Sequence, residues 1–314
     1  MTTRARQMLG RLAPRGLLAL EALKAADRFG YVPKIARPAK VYGRLGSLEV
    51  RLARSRADVR RAQRLRYEVF YEEMSARPSF LAEVRRRDGD PYDAICDHLL
   101  VVDHATQIID WRGERQPKVV GTYRVLRQEM AQRRAGFYTQ SEYDIAPLIA
   151  RKSPRYRFME LGRSCVLKPY RNKRTVELLW HGLWTYVREH KVDVMIGCAS
   201  FEGTDSEAHA EALSFLHHHA LAPEEWRCRA QPHLYVPMNR RPKEGLDAKA
   251  ALKAMPPLIK GYLRLGAYVG DGAVIDRQFG TTDVLIVLPV EKIDPRYFEH
   301  FGAPDEVKSR IAAE

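Results

Sequence analysis

The chain has 314 residues, 45% of them hydrophobic and 29% charged, which is typical of a globular protein with a buried core. No apolar run reaches the roughly 18 residues of a membrane-spanning helix, and no secretory cleavage site follows the basic start. The four cysteines lie far apart without a CxxC pair, so neither a zinc knuckle nor a disulfide scaffold is indicated. A reducing cytoplasm fits this pattern best.

The net charge of +14 is concentrated at the N-terminus. Residues 1–66 hold 17 Lys and Arg against four acidic residues, whereas the rest of the chain holds 36 against 35. Such a basic block attracts nucleic acid, anionic lipid or an acidic protein. Composition alone does not choose among these partners, and a solvated arm without a partner fits it equally well.

Prolines and glycines divide the chain into a basic N-terminal extension at 1–46, a folded domain at 47–300 and a C-terminal tail at 301–314. The leucines between Leu17 and Leu23, with Lys24 and Arg28, favour a short amphipathic helix. That helix would lie on a membrane face or pack against its own domain.

Hydrophobic periodicity predicts the elements of the folded domain in chain order. We predict strands at 47–55, 98–103, 118–127, 157–167, 193–201, near 267–280 and at 283–290. We predict helices after a cap at Asp58, at 175–190 and at 206–219, and a broken helix at 252–266. Three adjacent strands followed by strand–helix–strand predict an α/β fold with a mixed sheet and helices on both faces.

A basic turn joins the strand that ends at Leu167 to the helix that starts at Thr175. It contains Lys168, Arg171, Lys173 and Arg174. A helix N-terminus presents unpaired N–H groups, and cations in front of it favour an anion. We therefore predict a phosphate site here, with a solvated basic loop as the alternative.

Glu160 and Arg163 lie in the strand before this turn, among apolar residues. A carboxylate in a mostly buried strand must be paired, protonated or functional. An internal ion pair between Glu160 and Arg163 is the structural alternative to a catalytic role.

The strand, basic turn and helix resemble the pantetheine-binding core of the GNAT superfamily, which implies the GNAT-type N-acyltransferase fold with a mixed, mostly antiparallel sheet. A longer pattern is similar to acyl-homoserine-lactone synthases, which use acyl carrier protein. It consists of Leu65-Arg66 to Val69-Phe70, Asp90 and Asp93, Gly121 to Arg124, and Glu160 to Arg163.

From about residue 47 to 300 the chain most resembles the ornithine–acyl carrier protein N-acyltransferases, which make the lyso precursor of ornithine lipids. The resemblance is carried by RYEVFYEEM, DPYDAICDHLLVVD, VVGTYRVLR, GFYTQSEYDIAPL, MELGRSCVLKPYRNKRTVELLWHGLW, IGCASFEGTD and the long block from PPLIKG to VLIVLP. The segment from Tyr170 to Thr175 lacks the glycines of the usual GNAT phosphate loop. This departure favours the single phosphodiester of a carrier protein's phosphopantetheine arm, with no cofactor bound to the enzyme.

The resemblance implies transfer of a (3-hydroxy)fatty acyl group from acyl carrier protein to the α-amine of L-ornithine, giving lyso-ornithine lipid. Glu160 would be the general base, Arg163 would orient Glu160 or contact the donor, and backbone amides from Cys165 to Leu167 would bind the oxyanion. The donor phosphate would be held by Arg171, Lys173, Arg174 and Thr175. The acceptor needs carboxylates for its side-chain ammonium, for which Asp90, Asp93, Asp271 and Asp283 are candidates, and a cation for its carboxylate, for which Arg124 is a candidate. Arg66 is a further substrate-binding candidate.

No metal site is expected, because three consecutive histidines on a helix, His217 to His219, point about 100° apart and cannot converge. A covalent role for Cys165 is disfavoured, since no base neighbours it. We expect no nucleic-acid partner, because few aromatic residues accompany the N-terminal basic residues.

The expected partners are ornithine, an anionic inner membrane face and an acidic carrier protein, in a cytoplasmic enzyme peripheral to that membrane. Carrier protein would be steered by Arg51, Arg54, Arg60, Arg61, Arg64 and Arg66. Two alternatives are an acyltransferase for another amino acid or amine and a non-catalytic basic module that binds membrane or nucleic acid.

Overall fold

A computed structural model describes residues 40–74, 76–110, 113–134, 136–294 and 297. Most of the predicted N-terminal extension and the whole tail at 301–314 lie outside the described residues, as does the predicted amphipathic helix. Within the described part of the chain, no helix is long and apolar enough to cross a bilayer.

The described residues form ten strands and eight α-helices. The strands are β1 (Val41–Leu45), β2 (Leu48–Leu52), β3 (Asp97–Ile109), β4 (Arg115–Arg127), β5 (Tyr143–Asp144), β6 (Phe158–Val166), β7 (Val194–Glu202), β8 (Arg229–Ala230), β9 (Tyr268–Asp276) and β10 (Thr281–Pro289). The helices are α1 (Arg56–Tyr67), α2 (Phe80–Arg85), α3 (Gln128–Gln132), α4 (Ala146–Lys152), α5 (Lys173–Glu189), α6 (Ala210–Ala220), α7 (Ala248–Ala254) and α8 (Pro257–Arg264).

The strands form one sheet in the order β1-β2-β3-β4-β6-β7-β10-β9-β8-β5. All neighbouring strands are antiparallel except β6–β7 and β8–β9, which are parallel. The predicted mixed, mostly antiparallel sheet is therefore confirmed.

Helices cover both faces of this sheet. On β2, Arg51 binds Asp58 of α1, whereas its neighbour Val50 packs against Gly182 of α5, where an added Cβ would lie 2.4 Å from Val50. Because successive side chains of a strand point to opposite faces, α1 and α5 lie on opposite sides. Two hydrophobic clusters form the core, and the first contains residues of both faces, including Leu65 of α1 and Leu183 of α5.

The main strands and helices lie where their periodicity predicts them, and two local predictions are wrong. The sheet begins with β1, before the predicted domain boundary at residue 46, because Val41–Leu45 pairs with β2. Asp58 does not cap α1. Ser55 does so by accepting a hydrogen bond from the Asp58 amide, and the Asp58 carboxylate binds Arg51 at 2.8 Å.

Candidate active site

A cleft opens where the two parallel central strands separate. β6 and β7 are paired only from Phe158 opposite Val194 to Glu160 opposite Ile196. Beyond that point β7 stays paired with β10 and β6 stays paired with β4. The gap holds a cavity of about 480 Å³, which is within the size range of small-molecule sites.

A β-bulge shapes the β6 wall of this cleft. Between the pairs Thr122–Cys165 and Arg124–Gly162, β6 has one residue more than β4. Arg163 lies in the bulge with a φ of 53°, which is rare for a residue with a side chain. A bulge redirects the side chains around it, and the Arg163 side chain lines the cleft.

One backbone amide beyond the bulge is available to a ligand in the cleft. The Leu167 N–H donates to the Val120 carbonyl at 2.9 Å. Because hydrogen-bonding groups alternate along an antiparallel strand, the Val166 N–H faces the opposite edge, which β7 has left. The Val166 carbonyl faces the same way and accepts from Arg171 Nε at 2.8 Å. Of the predicted oxyanion donors, the Leu167 amide is therefore already used.

Glu160 lines the cleft and is 5% exposed. Its carboxylate accepts hydrogen bonds from the amides of Tyr138 (2.8 Å) and Thr139 (2.6 Å) and from the Thr139 hydroxyl. Burial raises the pKa of Glu160, although these donors oppose the shift. The alternative of an ion pair with Arg163 is wrong, because Arg163 pairs elsewhere.

Three arginines and three aspartates form a buried network beside the cleft. Arg66 Nε lies 2.8 Å from Asp88, and Arg66 Nη2 lies 2.7 Å from Asp93. Arg124 Nη1 lies 2.7 Å from Asp90 and 3.2 Å from Asp93. The arginine–aspartate network consists of these residues and one more arginine: Arg66, Asp88, Asp90, Asp93, Arg124 and Arg163.

Four residues predicted to bind the substrate instead form ion pairs inside the network. Burial alone would raise the pKa of Asp93, but the charges of Arg66 and Arg124 hold that pKa well below its ordinary value. Asp90 caps the short 3₁₀ helix that follows it. Arg66, Asp90 and Asp93 do not line the cleft, whereas Arg124 does. Their charges neutralise one another, so a substrate finds no free carboxylate among them.

Arg163 connects the network to the cleft. Its Nε lies 3.3 Å from Asp88 and its Nη2 lies 3.4 Å from Asp90. The guanidinium lies between the rings of Tyr138 and Phe279, at 4.9 and 4.6 Å from their centroids. This arrangement provides cation–π attraction on both sides and fixes the cation at the cleft wall.

Three carboxylates meet at another wall of the cleft. We call Glu142, Asp276 and Asp283 the acidic corner, because an oxygen of each lies within 4.8 Å of the others. Burial, with Asp283 nearby, raises the pKa of Glu142 to about 7, and burial raises the pKa of Asp283 to about 6. Asp276 is half-buried and accepts from the amides of Gln278 and Phe279.

Only one residue of the acidic corner, Asp283, is among the predicted ligands. Asp271, the other predicted aspartate of this region, lies outside the cleft lining, where it accepts from Tyr235 at 3.0 Å and pairs with Arg229 at 3.6 Å. Glu142 lies in a segment that only the family resemblance picks out, and Asp276 lies in the strand predicted near 267–280. Burial of a glutamate between two turns leaves no periodic signal.

The predicted phosphate-binding residues separate in space. Arg171 borders the cleft and pairs with Glu73 at 2.7 Å, and Lys173 lies 3.6 Å from Glu177. Arg174 and Thr175 instead line a second cavity of about 400 Å³ beside the turn between β1 and β2.

Thr175 is not available to a phosphate. It is fully buried, and both its amide and its hydroxyl donate to the N-cap Asn172. The basic turn therefore offers exposed cations, with its first helical amides partly capped.

Two further polar groups, the Cys165 thiol and the Ser214 hydroxyl, have surroundings that do not suit a role in the reaction. Burial raises the pKa of the Cys165 thiol, so this group stays protonated and is a poor nucleophile. The hydroxyl of Ser214, a group that could protonate a leaving thiolate, instead holds the segment at 238–241 through hydrogen bonds.

Comparisons with known proteins agree with this geometry. Residues 65–181 match the acetyltransferase (GNAT) domain family. The chain is 55% identical over 263 residues to the L-ornithine N(alpha)-acyltransferase of Brucella abortus (strain 2308), covering 84% of this chain and 92% of that protein. The chain belongs to the L-ornithine N(alpha)-acyltransferase family. The member from Agrobacterium fabrum (strain C58 / ATCC 33970) is 56% identical over 266 residues, covering 85% and 89%.

Membership of the L-ornithine N(alpha)-acyltransferase family makes the chain an enzyme with the GNAT fold, as the resemblance implies. The alternative of a non-catalytic basic module is wrong. A solved structure of FeeM, an N-acyl amino acid synthase from uncultured soil microbes, covers 78% of this chain and 92% of its own at a TM-score of 0.44 and 9% identity. That similarity is too distant to support a functional argument.

Proposed function

We propose that the enzyme transfers a fatty acyl group from the phosphopantetheine thioester of acyl carrier protein to the α-amine of L-ornithine. Ornithine as acceptor is supported by the names of relatives that are 55% and 56% identical. The observation that carries the chemistry is the cleft between β6 and β7, where a backbone amide and buried carboxylates face one space. The product would be lyso-ornithine lipid.

The chemistry is aminolysis of a thioester. The α-nitrogen bonds to the acyl carbon, the C–S bond breaks, and the thiolate leaves with a proton that restores the thiol. The Val166 N–H would donate to the carbonyl oxygen as negative charge develops there. Glu160 would accept the proton of the ammonium through a water, since its oxygens already accept three hydrogen bonds.

Exposed arginines support an acidic protein as donor. Arg56, Arg60 and Arg64 recur every four residues along α1 and are exposed, so they form one row. Three of the predicted steering residues instead form salt bridges with buried aspartates. Arg51 and Arg61 pair with Asp58, and Arg66 pairs with Asp88 and Asp93. The row would attract carrier protein, and Arg171, which borders the cleft, would attract its phosphodiester.

The location of the enzyme in the cell is part of the same proposal. A fatty acyl amino acid partitions into a bilayer, so the enzyme would release its product at the cytoplasmic face of the inner membrane. The basic residues before residue 40 would favour an anionic lipid surface.

Reconstitution tests the proposed reaction. We expect purified enzyme to form N-acylornithine, detected by mass spectrometry, from L-ornithine and 3-hydroxypalmitoyl-acyl carrier protein. The same acyl group on coenzyme A should react much more slowly. Equal rates with coenzyme A would remove carrier protein from the proposal, and preferred acylation of lysine or glutamine would replace ornithine as the acceptor.

Glu160→Gln tests the base. We expect kcat to fall by about 10²- to 10⁴-fold. Thr139→Val is the matched control, because it removes one hydrogen bond to Glu160 and leaves the carboxylate in place. Equal losses in both variants would mean that Glu160 only holds the segment at 138–139, and near-normal turnover of Glu160→Gln would remove it as the base.

A further inference from the structure

We propose that the acidic corner binds the side-chain ammonium of the acceptor and so selects an amino acid with a cationic side chain. This inference rests on the proposed acyl transfer to an amino acid and names the residues that recognise it. It adds Glu142 and Asp276 to Asp283 and removes Asp271 from the acceptor site.

Unpartnered oxygens in the corner point to a missing donor. Glu142 Oε2 and Asp283 Oδ1 are buried and have no hydrogen-bond partner among the residues that the structure describes. Both side chains line the cleft, and their residues are only 8% and 5% exposed. The hydroxyls of Ser200 and Thr281 hydrogen-bond the Asp283 carboxylate and leave this oxygen free. Buried polar atoms are normally paired. A primary ammonium carries three N–H donors, enough for both carboxylate oxygens.

The charge of the corner is also uncompensated. Glu142 faces Asp276, Asp283, Cys198 and the cation of Arg163. Asp283 faces Asp276, Ser200, Thr281 and the same Arg163. Arg163 is already shared by Asp88 and Asp90. Among the described residues, Glu142 and Asp283 thus share the charge of one cation that is bound elsewhere, which favours a positively charged ligand.

The corner lies at the opposite end of the cleft from Glu160. Asp283 is paired with Ser200 of β7 and Glu160 with Ile196 of the same strand. These β7 positions are four residues apart, roughly 13 Å at the rise of a strand, and both carboxylate side chains line the space between. A small amino acid with its side-chain ammonium in the corner directs its α-amine toward Glu160 and the Val166 amide.

The chemistry favours an organic ammonium over a metal ion. The cleft that carries the corner has a mostly apolar wall that includes Val69, Phe70 and Leu258. That wall suits the methylene groups of an amino acid side chain. A divalent cation is the competing ligand for three carboxylates, and the experiment separates the two.

Two acceptors that differ only in the ammonium provide the test. L-Norvaline has the carbon chain of ornithine without the side-chain nitrogen. We expect Glu142→Gln and Asp283→Asn to raise the KM for L-ornithine by about tenfold to hundredfold. The preference for ornithine over norvaline, measured as the ratio of their kcat/KM values, should fall by a similar factor. Glu225→Gln, an exposed glutamate outside the cleft, is the matched control and should change neither value.

Two kinetic outcomes would overturn the inference. An unchanged KM for ornithine in both variants would show that the corner does not hold the ammonium. An equal loss of activity with ornithine and norvaline would show that the corner acts on folding or on the donor.

Binding without the donor separates this inference from the proposed reaction. L-Ornithine and 1,4-diaminobutane should raise the Tm of the wild-type enzyme and not that of Glu142→Gln. If this shift occurs while no acylornithine forms, the corner stands and the proposed reaction fails. A Tm increase with Mg²⁺, Ca²⁺ or Mn²⁺ that Glu142→Gln abolishes, with none from ornithine, would overturn the inference in favour of a metal.

Discussion

Two groups of buried charges flank the same cleft and differ in how those charges are satisfied. In the arginine–aspartate network, three arginines and three aspartates bind one another at distances from 2.7 Å. Both groups contain buried atoms without a well-oriented hydrogen bond. In the acidic corner, however, three carboxylates lie together and none of them forms a salt bridge among the residues that the structure describes. The side chains are buried to a similar extent in both groups. The network pairs three positive with three negative charges, whereas the corner contains only carboxylates.

This difference separates scaffold from binding site. A buried charge that is paired inside the protein contributes to the fold, and its removal leaves its partner uncompensated. A buried charge without an internal partner destabilises the empty protein and gains its partner when a ligand binds. Substitutions should therefore change stability in opposite directions in the two groups.

Asp93→Asn should have the largest effect on stability. Asp93 binds both Arg66 and Arg124, so its charge compensates two buried guanidinium groups. We expect the free energy of unfolding to fall by about 3–5 kcal/mol, measured by urea denaturation at neutral pH. A loss below about 1 kcal/mol would mean that the network is solvated and is no scaffold.

Glu142→Gln should have a smaller effect of opposite sign that depends on pH. Burial and Asp283 raise the pKa of Glu142 from 4.5 to about 7, so the folded state holds a proton that the unfolded state releases. Stability of the wild type is therefore lost as the pH rises from about 4.5 to about 7, by up to about 3 kcal/mol.

Glu142→Gln removes this decline, so its stability should exceed that of the wild type above pH 7 and match it near pH 4. Thermal unfolding of the variant, the wild type and Glu225→Gln across this range measures the difference. Parallel curves for all three proteins would contradict a buried, uncompensated Glu142.

The exposed arginines of α1 should show the smallest effect on stability. Arg60→Gln combined with Arg64→Gln removes charges without a buried partner, so we expect a change within about 0.5 kcal/mol. The KM for carrier protein should rise severalfold at low salt and converge with that of the wild type at high salt. Steady-state kinetics with varied carrier protein provide the test, and an unchanged KM at low salt would remove this row from docking.

The fold was largely predictable because its strands and helices carry strong periodic signals. The run at 118–127 and the helix at 175–190 are found as β4 and α5, and the break at Pro256 separates α7 from α8. The family blocks imply the order of the central strands. The strand β1 was missed because Gly43 and Gly46 interrupt a short segment among prolines.

The site was predictable only in part, because sequence spacing does not say which charges pair. Glu160 and Arg163 were selected from their place in a buried strand and Asp283 as a carboxylate for the acceptor, and all three line the cleft. Asp90 and Asp93 were selected from a motif that they share with Arg66 and Arg124. Whether such acids face a ligand or an arginine depends on the packing of α1 against the sheet, which no local pattern encodes.

The full pairing of β7 with β10 has a consequence for any ligand that fills the cleft. These strands match residue for residue from Thr281–Glu202 to Pro289–Val194, so the backbone of that wall cannot move without breaking a hydrogen-bonded ladder. The facing wall is built from separate pieces, including Met74 and Leu258, whose side chains can rotate individually. We therefore expect the cleft to adapt to ligands of different size on this second side.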